Sequence, residues 1–296
     1  MKVVLTGASG FIGTPALEQL LRQGHDVMAL SRQKSVPDAH AGNSRLIWHS
    51  CDLAEPKSWI QAARDFSPEG CLHLAWEGIP DYGLDQSLRN LTMGAKLVDE
   101  LIQSGCRHYV ISGSCWEYGK ISGLIREDMD SVEPGVFAAS KNALRGIAEA
   151  LCGAEGTSLA WARVFYPYGP GQKSVSLLPT VCRAIAEGHH PVLNTPSAAN
   201  DFLYVDDAAE ALLLLLEKKA RGIYNIGSGK PEAVGKMADI LLGFAGKSSA
   251  FNLTEASAAN GFWADISKLK ALGWEPRTSL EEGVKRTHDF FLPGLC

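Results

Sequence analysis

The sequence predicts an α/β protein built on a doubly wound parallel sheet, with a smaller C-terminal lobe that binds substrate. From the N-terminus, short apolar runs rich in β-branched residues alternate with amphipathic stretches, the pattern of parallel strands joined by helices. A glycine-rich turn directly follows the first of these runs. After about residue 165 this alternation gives way to proline- and glycine-rich turns. We therefore expect a sheet domain over 1–165 and a mainly substrate-binding lobe over 166–296, from which the chain is free to return to the sheet.

The individual elements follow from the same pattern. Each predicted strand is short and apolar on both faces, as a sheet covered on both sides requires. The predicted strands are Lys2–Thr6, Asp26–Ser31, Arg45–His49, Gly70–Ala75, His108–Ser112 and Ser158–Val164. The predicted helices are Phe11–Gln23, Pro56–Arg64, Leu84–Ser104 and Phe137–Cys152. The weakly biased stretch Ser248–Asn260 is expected to form a surface connection.

Composition excludes several classes of protein. The 296 residues are 46% hydrophobic and 21% charged, as in ordinary folded domains. The net charge is −5 and no run of Lys and Arg exceeds two residues, so neither nucleic acid nor a membrane surface is an expected partner. The seven cysteines are scattered without metal-ligand spacing, which predicts no metal site and a reducing, cytoplasmic location. No apolar run reaches the roughly 20 residues of a membrane span.

The glycine-rich turn Thr6–Gly13, with the sequence TGASGFIG, predicts a dinucleotide site. It lies between the first strand and the first helix, where unpaired helical N–H groups can meet phosphates. Its glycines let the backbone turn tightly, approach a pyrophosphate and pack the helix closely against the strand. The expected cofactor contacts in this turn are Gly7, Ser9, Gly10, Phe11, Ile12 and Gly13.

The end of the second strand distinguishes the two nicotinamide cofactors. A carboxylate there accepts a hydrogen bond from the ribose 2′-OH of NAD, whereas a cation pairs with the 2′-phosphate of NADP. The chain has Ser31-Arg32 followed by Gln33 and Lys34, so no carboxylate is available in this stretch. Arg32 is therefore expected to bind a 2′-phosphate, and the sequence favours NADP over NAD.

Ten motifs along nearly the whole chain carry a family resemblance. In chain order they are TGASGFIG at 6–13, CDL at 51–53, HLAW at 73–76, RNLTMGAKLVDEL at 89–101, SGSCWEYG at 112–119, FAASK at 137–141, RVFYPYGPGQ at 163–172, NDFLYVDDAAEA at 200–211, YNIGSGKP at 224–231 and LGWEP at 272–276. With them the chain resembles the extended short-chain dehydrogenase/reductase family, in particular its NAD-dependent epimerase/dehydratase branch, which acts on nucleotide sugars. The resemblance implies a Rossmann fold for the sheet domain.

The resemblance also implies cofactor contacts outside the glycine-rich turn. These are Asp52 and Leu53 at the adenine, and Leu74, Ala75 and Trp76 along the ribose and pyrophosphate. Asn90 falls where the family has an asparagine in its long central helix. Because asparagine is unfavourable within a helix, a backbone or water contact explains it better than catalysis.

Catalysis in this family uses a Tyr-x-x-x-Lys pair and a Ser or Thr to handle the proton during hydride transfer at a sugar carbon. Carried over, Lys141 would hold the nicotinamide ribose and lower the phenol pKa, and Ser114 would hydrogen-bond the substrate oxygen. The tyrosine position holds Phe137, which offers neither donor nor acceptor. Three explanations stay open: a deliberately inactivated variant, which the intact Ser114 and Lys141 favour; a natural enzyme using another acid, such as Tyr118; or a binding protein that has lost catalysis.

Other departures from the family pattern concern the substrate. Cys115-Trp116 stands where the sugar-nucleotide dehydratases have an Asp-Glu pair that removes water, so dehydration is not expected. Glu117 either faces a sugar hydroxyl or caps local structure, and neither is favoured. The second lobe lacks an asparagine and an arginine that the family usually has there. Its candidate substrate contacts are Tyr166, Lys173 and Asn200.

The sequence as a whole favours an NADP-dependent reductase of a keto-sugar nucleotide, of the 4-ketoreductase type, in carbohydrate biosynthesis. The alternative enzyme is a nucleotide-sugar C4 epimerase that uses and recycles NAD. The alternative of another class is a non-catalytic protein that senses a dinucleotide. The expected partner is a small nucleotide-sugar substrate, and homodimer formation stays open.

Overall fold

The computed structural model describes residues 1–251 and 261–293. They form two compact units. Unit 1 comprises Met1–Lys120, Asp130–Arg163 and Ala209–Tyr224, and unit 2 comprises Ile121–Met129, Val164–Ala208 and the described residues of Asn225–Cys296. Most of the predicted surface connection Ser248–Asn260 lies outside the described residues.

The strands and helices are numbered in chain order. The strands are β1 Lys2–Thr6, β2 Asp26–Ser31, β3 Leu46–Ser50, β4 Gly70–His73, β5 His108–Ser114, β6 Gly123–Ile125, β7 Ser158–Val164, β8 Pro167–Tyr168, β9 Ala199–Asp201, β10 Leu203–Tyr204, β11 Gly222–Ile226, β12 Pro231–Ala233 and β13 Phe262–Ala264. The helices are α1 Gly13–Arg22, α2 Ile60–Phe66, α3 Leu84–Gln103, α4 Val136–Ala154, α5 Leu177–Ala186, α6 Val205–Glu217, α7 Val234–Phe244, α8 Ser267–Ala271 and α9 Leu280–Phe291.

A seven-stranded sheet forms the centre of unit 1, in the order β11-β7-β5-β4-β1-β2-β3. Neighbours from β5 through β3 pair in parallel, and the predicted α/β fold class is confirmed. From β1 the chain builds outward through β2 and β3 and then crosses to β4 on the other side. The carboxyl ends of β1 and β4 therefore border the crevice where doubly wound sheets bind ligands.

The strand ends fix which residues reach that crevice. β5 extends to Ser114, two residues beyond the predicted end, so Ser114 leaves the sheet at its carboxyl edge. β4 ends at His73, and the following residues 74–76 lie in a loop. The sheet buries Val4, Leu30 and Ile111 at 1% exposure or less, and each such side chain contributes roughly 1.5–3 kcal/mol of hydrophobic stabilisation.

Unit 2 combines helices with two small sheets. One has the strand order β12-β9-β13-β6 and the other pairs β10 with β8. Its core includes Tyr168 of β8, Val181 of α5, Leu241 of α7 and Val284 of α9, all buried. Across residues 1–251 and 261–293, no helix combines the length and apolar character needed to span a membrane.

Candidate active site

The glycine-rich turn follows β1 and needs glycine for steric reasons at two positions. Gly7 has a positive φ of +74°, and a Cβ there would lie 2.9 Å from the Ala75 amide nitrogen. A Cβ on Gly13 would lie 1.8 Å from the Gly7 carbonyl oxygen, so α1 begins against the turn itself. The Gly10 amide donates to the Gly7 oxygen at 2.8 Å. A larger residue at Gly7 or Gly13 would push the turn away from the sheet.

The start of α1 suits a bound pyrophosphate. Its N-cap residue Ile12 makes no side-chain cap hydrogen bond, and no acidic residue lies in the first turn. Ser9 and Gly10 are exposed, and Phe11 and Ile12 are half-buried. The Thr14 amide donates to the Gly10 carbonyl oxygen at 2.9 Å and Pro15 has no N–H, so the dipole of α1 and the amides before Thr14 are the features that attract an anion. The turn thus fits the phosphates of a dinucleotide.

The loop after β4 is joined to β1 by a buried hydrogen-bond pair. Thr6 Oγ1 lies 2.7 Å from His73 Nδ1 and accepts from the Ala75 amide at 3.2 Å. Burial and the nearby Lys141 charge lower the pKa of His73 to about 3, so this imidazole is neutral and acts as a structural partner. Leu74, Ala75 and Trp76 are consequently held beside the glycine-rich turn, where the resemblance places the ribose and pyrophosphate.

An ionic network lies at the carboxyl ends of β2, β3 and β4. Arg32 Nη1 is 3.3 Å from Glu77 Oε1, Arg89 Nε is 3.0 Å from Glu77 Oε2, and Arg89 Nη2 is 3.2 Å from Asp52 Oδ2. Asp52 also accepts from the Ala54 amide at 2.9 Å. The stretch Ser31–Lys34 has no carboxylate of its own, but the loop after β4 supplies Glu77 to Arg32.

Asn90 holds the backbone of Glu77 in place. The Asn90 side chain is buried on α3, accepts from the Glu77 amide at 2.7 Å, and donates to the carbonyl oxygens of Glu77 at 3.1 Å and Gln86 at 2.7 Å. The backbone contact expected for this asparagine is therefore present. The two bonds to Glu77 hold the loop onto α3, and the third lies within α3, so the Glu77 carboxylate starts from a fixed backbone.

Ser114 begins a 3₁₀ turn at Cys115–Tyr118 and forms a capping box with Glu117. The Ser114 amide donates to Glu117 Oε1 at 2.7 Å, and Ser114 Oγ accepts from the Trp116 amide at 3.2 Å. The local pattern S-x-x-E is the sequence signal for this motif. The turn orients the Ser114 hydroxyl at the end of β5.

Glu117 is fully buried, with its second oxygen engaged by two donors. Arg163 Nε donates to Oε2 at 2.9 Å and Trp161 Nε1 donates to it at 2.8 Å. The Arg163 guanidinium also lies 4.1 Å from the centre of the Tyr118 ring. Of the two sequence-based alternatives for Glu117, the geometry matches the local cap, since a carboxylate at 0% exposure with both oxygens bonded internally is not presented to a sugar.

Lys141 is buried one helical turn after Phe137 on α4. Its Nζ donates to the Ser112 carbonyl oxygen at 2.7 Å and lies 4.1 Å from the centre of the Trp76 ring. Burial lowers the pKa of Lys141 to about 8, against the raising effect of Glu117. The indole N–H of Trp76 is buried and has no acceptor among the described residues. The ammonium and this unpaired donor offer hydrogen bonds to a ligand beside the glycine-rich turn.

Phe137 lies in an aromatic cluster made of Trp76, Tyr82, Trp116 and Phe137. The Phe137 ring centre is 5.1 Å from that of Tyr82, 5.3 Å from that of Trp76 and 6.0 Å from that of Trp116, each in an edge-on arrangement. Tyr82 and Trp116 are 5.1 Å apart. Phe137 is therefore packed against three other aromatic rings, and a missing hydroxyl is its only chemical difference from tyrosine.

Two tyrosines near this cluster differ in access. Tyr118 is 0% exposed and covered by Arg163, which argues against Tyr118 as the substitute acid. Tyr82 is half-exposed, and partial burial raises the pKa of its phenol. Tyr82 is thus a phenol in direct contact with Phe137 that a substrate could reach.

The candidate substrate residues of the second lobe lie in unit 2. Tyr166 is half-buried, with its ring centre 5.9 Å from the rings of Phe202 and Phe262. Asn200 lies in β9, opposite Glu232 of β12. Lys173 is exposed in the turn after β8. Their roles toward a substrate stay predictions.

Sequence reasoning missed several members of this site. Glu77 stands outside the ten motifs, and Arg89 opens the motif at 89–101 without any sign of its role, because the charged partners of both residues come from other elements. Tyr82 lies in the loop before α3, where the sequence pattern does not predict which way a side chain points. The capping box of Ser114 and Glu117 was readable, since S-x-x-E stands in the sequence.

The chain matches a known protein family over most of its length. Residues 3–227 match the model of the NAD dependent epimerase/dehydratase family. The chain belongs to this family. Among curated relatives, the UDP-glucuronate 4-epimerase of Thermodesulfobacterium geofontis is 27% identical, with 96% of this chain and 94% of the relative covered. The dTDP-L-rhamnose 4-epimerase of Burkholderia thailandensis is 26% identical, with 96% and 93% covered.

A solved structure shows the same fold. The UDP-glucose 4-epimerase of Thermus thermophilus, in complex with NAD, superposes with a TM-score of 0.85 at 24% identity. The alignment covers 99% of this chain and 100% of the Thermus chain. The fold predicted from the resemblance is therefore confirmed.

Proposed function

We propose that the protein is a nucleotide-sugar 4-epimerase that uses NAD. The observation that carries this proposal is the placement of Lys141 and Ser114 at the carboxyl edge of the same sheet whose β1 turn fits a dinucleotide pyrophosphate. The two relatives described above are 4-epimerases by name. The NADP-dependent reductase favoured by the sequence has lost its main support, since Arg32 pairs with Glu77.

Each residue of this site has a distinct task in the proposed reaction. When bound, NAD supplies the oxidation and re-reduction of the sugar carbon whose configuration is inverted. Lys141 holds the nicotinamide ribose with its ammonium, and the Ser114 hydroxyl hydrogen-bonds the sugar oxygen while charge develops there. In unit 2, Tyr166, Lys173 and Asn200 are the proposed contacts to the nucleotide sugar.

The proton of the sugar hydroxyl needs a carrier that Phe137 cannot provide. We assign this task to Tyr82, whose ring contacts Phe137 and which a ligand can reach. Partial burial raises the pKa of this phenol, so Tyr82 starts neutral and must release its own proton to water, which its half-exposed position allows, before its oxygen can accept the proton of the sugar hydroxyl. This assignment follows the second of the three sequence-based explanations, a natural enzyme that uses another acid, with Tyr82 in place of Tyr118.

The test is conversion of a nucleotide sugar without net use of cofactor. The purified protein is incubated with UDP-glucose, UDP-glucuronate or dTDP-L-rhamnose and substoichiometric NAD, and the sugar products are separated by chromatography. We expect the C4 epimer of at least one substrate to accumulate beyond the amount of NAD added. Absorbance at the wavelength of reduced nicotinamide should show no stoichiometric change.

A reductase would give the opposite pattern. Reduction of a 4-keto sugar nucleotide consumes one reduced cofactor for each product formed. Stoichiometric consumption of NADPH with a 4-keto substrate, and no epimer from the three substrates above, would refute the proposal. A protein that binds a dinucleotide tightly and turns over none of these sugars would instead favour the sensing alternative.

A further inference from the structure

The ionic network of Arg32, Glu77, Arg89 and Asp52 lies where the adenosine ribose of a dinucleotide meets the end of β2. Two carboxylates and two guanidinium groups balance in charge within this network. The Glu77 side chain is only 13% exposed, whereas that of Arg32 is 66% exposed. Glu77 is therefore the less accessible of the two side chains. Its carboxylate determines the charge that a ligand meets beside Arg32.

The position of Glu77 is set before any ligand arrives. Asn90 clamps its backbone through two hydrogen bonds, and Arg89 holds its second oxygen at 3.0 Å. Its first oxygen remains directed at Arg32 at 3.3 Å. A carboxylate held this way resists displacement, since moving it would break contacts to both arginines.

We propose that Glu77 selects NAD over NADP, in the role that a carboxylate at the end of β2 plays in other dinucleotide sites. Its first oxygen can accept a hydrogen bond from a ribose 2′-OH, as a carboxylate does in NAD sites. A 2′-phosphate that approached Arg32 would meet the Glu77 carboxylate as well, and like charges repel. The proposal rests on the dinucleotide site of the proposed function and names the residue that sets its cofactor class.

The test is the binding of NAD and NADP measured by titration calorimetry. The proteins are wild type, Glu77→Gln, Arg32→Ala and the double variant. We expect wild type to bind NAD more tightly than NADP. Glu77→Gln releases Arg32 and removes the repulsion, so the NADP-to-NAD affinity ratio should rise by about 10–100-fold, the range for one charge-assisted hydrogen bond. In the double variant Arg32→Ala should reverse most of this gain.

A matched control variant makes the same Glu→Gln change in an ion pair outside the dinucleotide site. Glu100 on α3 pairs with Arg64 at 3.2 Å, so Glu100→Gln also removes one carboxylate from a carboxylate–arginine pair. This variant should leave the affinity ratio unchanged. Thermal unfolding of each variant shows that it is folded before the titration.

Three other results would overturn either the role of Glu77 or the dinucleotide site itself. If Glu77→Gln changes both affinities equally, or if Arg32→Ala does not reverse the gain, Glu77 does not select the cofactor. If wild type prefers NADP, the selection runs the other way and the proposal is wrong. If wild type binds neither dinucleotide, the proposed function itself fails, and cofactor selection fails with it.

Discussion

Two carboxylate–arginine clusters in unit 1 use the same chemistry at different depths. Glu117 and Arg163 are 0% and 3% exposed, and they lie beneath the strand end that carries Ser114. Arg32 and Glu77 are 66% and 13% exposed, at the ends of other strands of the same sheet. Both oxygens of the buried Glu117 are bonded to internal donors, and this pair serves the fold. The open pair keeps one partner accessible and can therefore respond to a ligand.

Burial thus indicates which charges are structural and which can take part in recognition. A buried ion that loses its partner is costly to leave unpaired, whereas water screens an exposed one. The aromatic cluster lies between these extremes, with Phe137 buried and Tyr82 half-exposed.

The largest effect is expected at the half-exposed tyrosine of the aromatic cluster. Tyr82→Phe should lower kcat of the epimerisation about 10²–10⁴-fold, because it removes the proton carrier from the reaction. KM should change little, since the ring and its packing are kept. Steady-state kinetics with the active nucleotide sugar measure both constants. The control is Tyr118→Phe, which removes a fully buried phenol and should leave kcat nearly unchanged.

A rescue variant makes this prediction specific. Phe137→Tyr places a phenol one helical turn from Lys141, whose ammonium lies 5.9 Å from the Phe137 ring centre. In the Tyr82→Phe background this change should restore kcat, because a phenol beside a cation has a lowered pKa and becomes the better acid–base group. Full activity of Tyr82→Phe alone would show that the proton travels by another route.

The next effect concerns the buried pair. Glu117→Gln should lower the free energy of unfolding by about 3–5 kcal/mol, as expected when one partner of a buried ion pair is removed. Arg163 would keep its charge and lose its counterion, and the Ser114 capping box would lose an ionised acceptor. Urea unfolding followed by circular dichroism measures the change. Glu100→Gln, in the partly exposed pair with Arg64, should cost less than about 1 kcal/mol, and equal losses in the two variants would contradict the burial argument.

The contrast between regions also shows how far the sequence could be read. The glycine-rich turn was predictable, and the end of β5 was predictable to within two residues, because glycine spacing and apolar runs act over a few neighbouring residues. The pairing of Arg32 with Glu77 was not, since it joins the ends of two strands far apart in sequence. Glu117 lay between these cases: its capping pattern was visible, while its burial depends on Arg163 from another strand. Features set by neighbouring residues could therefore be predicted from the sequence. The partner of each charged side chain could not.

A smaller effect is expected from the titration of Lys141. Its pKa is lowered to about 8 in the folded protein, from an ordinary value of 10.5, because burial disfavours the ammonium. Between these values the unfolded chain binds a proton that the folded protein does not, so stability rises with pH there. The difference in unfolding free energy between wild type and Lys141→Met should increase by at most about 1.4 kcal/mol per pH unit in this window.

Urea unfolding at several pH values between about 7.5 and about 10 measures this slope. The subtraction removes titrations common to both proteins, such as those of the buried cysteines. Lys96→Met is the control, because Lys96 is an exposed lysine on α3. A flat difference for Lys141→Met would mean that Lys141 titrates alike in both states, and that its burial does not affect its charge.

The smallest effect is expected for the open pair, and its salt dependence separates it from the buried one. A double-mutant cycle of Arg32→Ala and Glu77→Gln should give a coupling of about 0.2–1 kcal/mol in unfolding free energy, the range of exposed ion pairs. Raising NaCl from about 0.05 M to about 0.5 M shortens the screening length and should reduce this coupling. The corresponding cycle for Glu117 and Arg163 should change little, because salt does not enter the core. If salt reduced both couplings equally, exposure would not distinguish the two clusters. The Arg32–Glu77 pair would then be no more open to solvent ions than the Arg163–Glu117 pair.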